Sequence, residues 1–260
     1  MHSTEFFTFL TAQATDVGRV RTVNEDSFLS RPESGLWVVA DGMGGHAAGD
    51  FASQTIVREL YSVGLPGSAD DFQARFMERL GRANDQILDH SAELNQGTIG
   101  ATLVALLVAG QDYACIWSGD SRIYRLRAGE LEQQTRDHTE VQALLDAGSI
   151  TPEEAETWPR KNVITRAIGV SPSPECDVMG GRLALGDRFL LCSDGLTGHV
   201  SDAEIAEILA DPSPQAACDQ LIALTLERGA RDNVTVIVLY CMAPPAPQID
   251  DSEFDMDVLE

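Results

Sequence analysis

The sequence predicts an α+β sandwich in which helices cover antiparallel sheets. Three observations lead there. Apolar runs of strand length recur along the chain, two of the links between them are short enough for hairpins, and two helical stripes fall between the strand groups.

The elements follow in order. "SFLS" (27–30) and "LWVVA" (36–40) read as strands, the second apolar enough to be buried. After a glycine-rich loop, Ala52, Ile56 and Leu60 recur at four-residue spacing, and Phe72, Phe76, Leu80, Ala83 and Ile87 make a longer apolar stripe. Strands resume at "ATLVALLV" (101–108), "YACIWSG" (113–119) and "RIYRLR" (122–127). Gly110-Gln111-Asp112 turns the first of these into the second, and Ala128-Gly129-Glu130 turns "YRLR" into "LEQQT". Such short links make antiparallel neighbours, since a parallel pair needs a long crossover. Val141, Leu144 and Leu145 mark a short helix, "RFLLCS" (188–193) a strand, Ala217, Leu221 and Leu224 a helix, and "NVTVIVLY" (233–240) a last strand. One domain, residues 1–242, is expected. Beyond it "APPAPQIDDSEFDMDVLE" (243–260), Pro-rich and then acidic, reads as a disordered tail.

The charge balance narrows the function. Asp and Glu number 41 against 18 Lys and Arg, a net charge of −23. Such a surface repels phosphate backbones and anionic lipid, which argues against nucleic-acid and membrane partners. "GATLVALLVAG" (100–110) is too short to span a bilayer, and "MHSTEFFTFLTAQ" lacks the basic start of a signal peptide. The five cysteines are scattered and odd in number, which suits reduced thiols and a cytoplasmic location.

Five acidic positions border the apolar runs. Asp41 ends "LWVVA", Asp120 follows "CIWSG", Asp194 follows "FLLCS", Asp232 precedes "NVTVIVLY", and Glu25 with Asp26 precedes "SFLS". One Asp beside a Gly is ordinary turn chemistry. Five such positions can meet along one edge of antiparallel sheets, where they could not all stay ionised without cations. Oxygen ligands without His or Cys select Mg²⁺ or Mn²⁺. Gly42, Gly44 and Gly45 would let backbone carbonyls and a substrate approach closely. Rival readings of this loop fail. Gly42-x-Gly44-x-x-Ala47 resembles a dinucleotide fingerprint, but Asp41 would face a pyrophosphate and no second strand ends in an acid. A P-loop would need Lys and Ser/Thr where Asp50 and Phe51 stand, and an aspartyl-phosphate site would need an acid at Met43.

The order of motifs resembles the metal-dependent Ser/Thr protein phosphatases of the type 2C (PPM) family. The segments are "RTVNEDSF" (21–28), "VVADGMGG" (38–45), "GATLVALLV" (100–108), "WSGDSRIYRLR" (117–127), "TRDHT" (135–139), "NVITRAIG" (162–169), "LLCSDGLTGHVSD" (190–202) and "GARDNVTVIVL" (229–239). The resemblance, over about residues 12 to 240, implies a four-layer αββα sandwich with two metal ions at one end. It implies that Asp41 bridges both metals. Glu25 and the Gly42 carbonyl would complete the second metal's ligands, and Asp194 and Asp232 the first's. Asp120 with Asp194 would hold a third, weaker metal. Arg21 would grip the substrate phosphate, Asp26 would orient metal-bound water, and Thr102 would supply a hydroxyl behind the ligands. The implied reaction is in-line attack of a metal-activated water on phosphoserine or phosphothreonine in proteins, reversing Ser/Thr kinase signalling.

Some positions depart from the family pattern. Met43 stands where many eukaryotic members carry a His proposed as general acid, and His46 nearby fits a helix start or a surface role better than catalysis. Ala101 replaces a usual Thr, and Trp158 a common His, within a 140–165 segment that resembles the family's mobile flap. Two alternatives stay open: a small-molecule phosphomonoesterase on the same centre, and an inactive phosphatase-like binding module. The second would be expected to lack Arg21 or one of the acids, and all are present.

Overall fold

The structure is a computed structural model that describes residues 7–44, 48–94, 97–160 and 162–244. His46 and all but the first two residues of the tail lie outside the described residues. Two antiparallel sheets stack face to face. The first holds β1 (Thr8–Asp16), β11 (Val234–Met242), β10 (Arg188–Cys192), β7 (Arg122–Arg127) and β8 (Glu130–Gln133), in that spatial order. The second runs β2 (Asp26–Arg31), β3 (Leu36–Met43), β5 (Leu103–Ala109), β6 (Asp112–Ser118) and β9 (Asp177–Arg182), with the short β4 (Gly100–Ala101) paired to the end of β3.

Side-chain alternation along the strands explains the layering. On β3, Leu36, Val38 and Ala40 pack with Ala52, Ile56 and Leu60 of α1 (Gly49–Tyr61) and with Phe72, Phe76, Leu80, Ala83 and Ile87 of α2 (Ala69–Leu94). The intervening Trp37 and Val39 point the other way, into an apolar layer shared with Phe189, Leu191, Ile237 and Leu239 of the facing sheet. That sheet's outer face carries Leu190, Val236 and Val238, which pack with Leu196 of α5 (Asp194–Thr197), Ile205 of α6 (Asp202–Leu209) and Leu221 of α7 (Pro214–Glu227). Helices, sheet, sheet, helices: this is the αββα order implied by the motifs.

Both helical stripes lie on the buried faces expected of them, and both expected hairpins form, β5 to β6 and β7 to β8. Two features of the strands differ from the sequence reading. The expected strand 101–108 is broken at Thr102, whose backbone N–H donates to the Asp41 carbonyl (2.8 Å). β1 and β9 are additional edge strands. β1 buries only Ala12, and β9 contains Gly180 and Gly181, so neither shows the apolar run that marks the others. In the 140–165 segment the expected short helix forms as α3 (Glu140–Asp146) and is followed by α4 (Pro152–Glu156), with no buried residue in either helix.

Candidate metal centre

Period-two alternation places the acids. Trp37 and Val39 face the layer between the sheets, so Asp41 faces it too, where the apolar filling stops. On β2, Phe28 packs into that layer, so Asp26 shares its face. Asp26 and Asp41 are direct cross-strand partners. From the other sheet, Asp194 follows the end of β10 and Asp232 precedes β11, an adjacent antiparallel pair. The expected convergence of strand-end acids at one end of the sandwich is therefore present, drawn from both sheets.

Burial and crowding oppose ionisation here. Burial pushes Asp26 up to about 6, opposed by the nearby Thr235 and Ser193 hydroxyls and with the charges of Asp194 and Asp232 adding to the rise. Asp41 is raised well above the usual carboxylate range, first by burial and then by Asp26, Asp194, Asp120 and Asp232. Burial and the Asp194 charge raise Asp120 to about 8. Asp194 is raised by burial and by Asp232, while hydrogen bonding with Asp41 opposes the rise. Glu25 is raised by burial, opposed by the Gly49 backbone N–H.

Two observations bear on whether this site fits divalent cations. Asp26 Oδ2 accepts from Ser193 Oγ (2.8 Å), but its buried Oδ1 has no hydrogen-bond partner. The backbone around Glu25 is also a cradle that only glycine leaves open. A Cβ at Gly49 would stand 2.5 Å from Glu25 Oε1, and one at Gly42 would collide with the Gly49 carbonyl and lie 2.7 Å from that of Glu25. An oxygen-only donor set with a spare buried acceptor suits Mg²⁺ or Mn²⁺. As they stand, no three Asp, Glu, His or Cys side chains among the described residues are close enough to share one ion. Like charges repel, and such ions retain several waters, so a ring of spaced acids is compatible with ions that draw them inward.

Arg21 is brought to the cluster. The preceding loop docks on the strand that Asp232 opens: Arg19 N–H donates to the Ala230 carbonyl (2.8 Å), and a side chain at Gly18 would collide with the Asp232 carbonyl. Arg21 Nη2 then lies 2.7 Å from Asp232 Oδ2. The guanidinium that the motifs assign to phosphate is thus held on a proposed metal ligand, and both side chains stay solvent-accessible (49% and 41%), free to part. Thr102 Oγ1 accepts from Asp41 N–H (3.3 Å) and is bonded to Ser121 Oγ (2.7 Å).

Several positioning residues escape a reading of the sequence. Asn233 accepts from Glu25 N–H (2.8 Å) through Oδ1 and donates through Nδ2 to the carbonyls of Val17 (2.9 Å) and Val23 (3.0 Å), tying the Arg21 loop to β11. Ser193 joins the sheets by donating to Asp26 and accepting from Thr235 N–H (3.0 Å). His138 Nδ1 accepts from Gly119 N–H (3.2 Å), next to Asp120. Asn after Asp and Ser before Asp are common turn pairs, so only their repeated place at strand ends offered a signal. Met43, whose thioether has no proton to give, cannot supply the acid, and its side chain packs near Gly100. The thiols are excluded as nucleophiles, because burial pushes Cys115, Cys192, Cys218, Cys241 and Cys176 up to about 12.

The profile of the Protein phosphatase 2C family matches residues 18–226. The serine/threonine protein phosphatase PstP of Mycobacterium tuberculosis is 42% identical over 230 residues, 87% of this chain, which spans 44% of that relative's length. The serine/threonine phosphatase stp of Listeria welshimeri is 36% identical over 234 residues, 86% of this chain and 93% of the relative. A crystal structure of the PstP catalytic domain in complex with two manganese ions superposes with a TM-score of 0.83 at 39% identity, covering 91% of this chain and 99% of that one.

Proposed function

The chain belongs to the Protein phosphatase 2C family, and from that premise we propose that it is a Mn²⁺- or Mg²⁺-dependent phosphatase of phosphoserine and phosphothreonine in proteins. The observation that carries this reading is the pairing of Asp26 with Asp41, beside Asp194 and Asp232, with one buried Asp26 oxygen left without a partner. Asp41, Glu25 and the Gly42 carbonyl, with Asp194 and Asp232, would hold two ions, and Asp120 with Asp194 a third, weaker one. Bound there, the ions supply an activated water nucleophile and neutralise phosphate charge. The chain's own residues do the rest. Arg21, released from Asp232, presents a guanidinium fork to two phosphate oxygens, a geometry lysine cannot match. Asp26, fixed by Ser193, orients the water. Asn233 and Thr102 keep the ligand-bearing loops in place.

The catalytic unit is assigned to residues 1–242, with 243–260 as an appended tail. Five free thiols suit a reducing compartment, and we place the protein in the cytoplasm, opposite a Ser/Thr kinase. Among the described residues no helix is long and apolar enough to cross a membrane. The deciding experiment is hydrolysis of a phosphothreonine peptide and of small phosphoesters by the full chain with Mn²⁺, with and without chelator. Metal-dependent turnover of the peptide supports the proposal. Turnover of small phosphoesters alone would point to a phosphomonoesterase, and no turnover of either would refute catalysis.

A further inference from the structure

Beside Asp194 and Asp232 opens a cleft of about 510 Å³ whose walls include Arg122, Arg228, Arg231 and His199. Three arginines at one cleft stand out in a chain with 18 basic against 41 acidic residues. Two are committed elsewhere. Arg122 forks onto Asp137 (2.7 to 3.1 Å), and Arg228 binds Glu204 and the His199 carbonyl. Arg231 is exposed and makes no ion pair with any described residue.

Its pedestal is nonetheless firm. Arg231 N–H donates to His199 Nε2 (3.2 Å), and the Arg228 contacts clip the same turn to residues 199 and 204. Ala230, at φ 30°, donates to the Thr225 carbonyl (3.1 Å) and accepts from Arg19 N–H (2.8 Å). A fixed backbone with an unengaged guanidinium is an anion receptor. Among the described residues the carboxylates on the cleft wall are Asp120, Asp194 and Asp232, all assigned to metal.

We propose that Arg231 makes the cleft select phosphopeptides that carry an anionic side chain close to the phosphorylated residue. The inference rests on the phosphatase reading above and names a substrate class for it. Asp232, on which Arg21 rests, lines the same cleft as Arg231, so a phosphate taken by Arg21 sits at the edge of that cleft. A peptide advances about 3.3–3.6 Å per residue, so a phosphopeptide crossing the cleft carries side chains flanking the phosphate past Arg231. Carboxylate and phosphate both match its planar fork.

The test uses the full chain with Mn²⁺ and three phosphothreonine peptides alike except for flanking Glu, flanking phosphoserine or flanking Lys. The wild type should prefer the anionic peptides by about three- to fivefold in kcat/KM, mostly through KM, as one rim charge allows. The preference should shrink in about 0.5 M salt. Arg231→Gln should abolish it, Arg231→Lys retain part of it, and Arg231→Glu invert it. Because the readout is a ratio within each variant, a general loss of activity cancels. Equal preference for both anionic peptides assigns recognition to anions at large, and preference for the doubly phosphorylated one alone assigns it to phosphate. An unchanged ratio in Arg231→Gln and Arg231→Glu overturns the inference while leaving the phosphatase reading intact. Failure of the wild type to cleave any peptide or p-nitrophenyl phosphate overturns that reading, and this inference with it.

Discussion

Asp26 and Asp41 face each other as direct partners across the β2–β3 pair, an arrangement in which like charges destabilise a sheet. Proton uptake relieves the repulsion when no cation does.

That gives a pH dependence with a definite sign. Asp26, at about 6, and Asp120, at about 8, are raised above the ordinary 3.8, so between about pH 4 and 8 the folded chain binds more protons than the unfolded one. The stabilisation is complete below the unfolded pKa and lost as pH climbs through the folded values. Chelator-treated protein should melt at least ~4 °C lower at pH 8.5 than at pH 5.5, on the scale of a kcal/mol or more in a domain this size. Saturating Mn²⁺ should flatten the profile. A chelated protein that grows more stable toward pH 8.5 would contradict this.

Removing one of the two charges should separate stability from activity. Asp41→Asn is expected to raise the melting temperature of chelated protein at pH 7.5 by roughly 2–4 °C. The same change should lower kcat by about 10²–10³-fold or more, as loss of a central electrostatic group does. Calorimetry and a phosphopeptide assay on one preparation check both.

Arg21→Ala should raise KM about tenfold with little change in kcat, because it removes a grip on phosphate present before and during the reaction. It also frees Asp232 from its 2.7 Å ion pair. Mn²⁺ should then bind up to a few-fold more tightly, since an exposed pair contributes about 1 kcal/mol at most. Titration calorimetry would expose an error if affinity weakened.

Two glycines make opposite predictions. A Cβ at Gly195 would collide with the Asn233 carbonyl, so Gly195→Ala should destabilise by about 2 kcal/mol or more and impair metal binding. Gly81, inside α2, has nothing within 4 Å of an added Cβ, so Gly81→Ala should stabilise by about 0.5–1 kcal/mol. Urea denaturation of both variants provides the comparison.

The strands that bury both faces were legible, because runs such as "LWVVA" and "NVTVIVLY" admit no other placement in a sandwich. β1 and β9 were not, since edge strands bury one face or neither and Gly180-Gly181 mimics a turn. The acids at strand ends stood out by repetition: Asp41 alone reads as a turn residue, and Asp120, Asp194 and Asp232 in the same setting do not. The supports stayed hidden. Asn233 acts on Glu25, 208 positions away, and nothing local in "RDNV" encodes that distance. Likewise the Arg21 pairing with Asp232 spans 211 positions and depends on β1 lying beside β11.

That last neighbourship bears on biosynthesis. Among the described residues β1 pairs only with β11, so it gains a sheet partner only once β11 has been made, and Asp232, Asn233 and Thr235 come far later in the chain than Arg21, Glu25 and Asp41. Translation therefore withholds the whole constellation until β11 has been made. A chain stalled or cleaved upstream of β11 would carry Arg21, Glu25 and Asp41 without their counterparts, and so would lack half of the proposed centre.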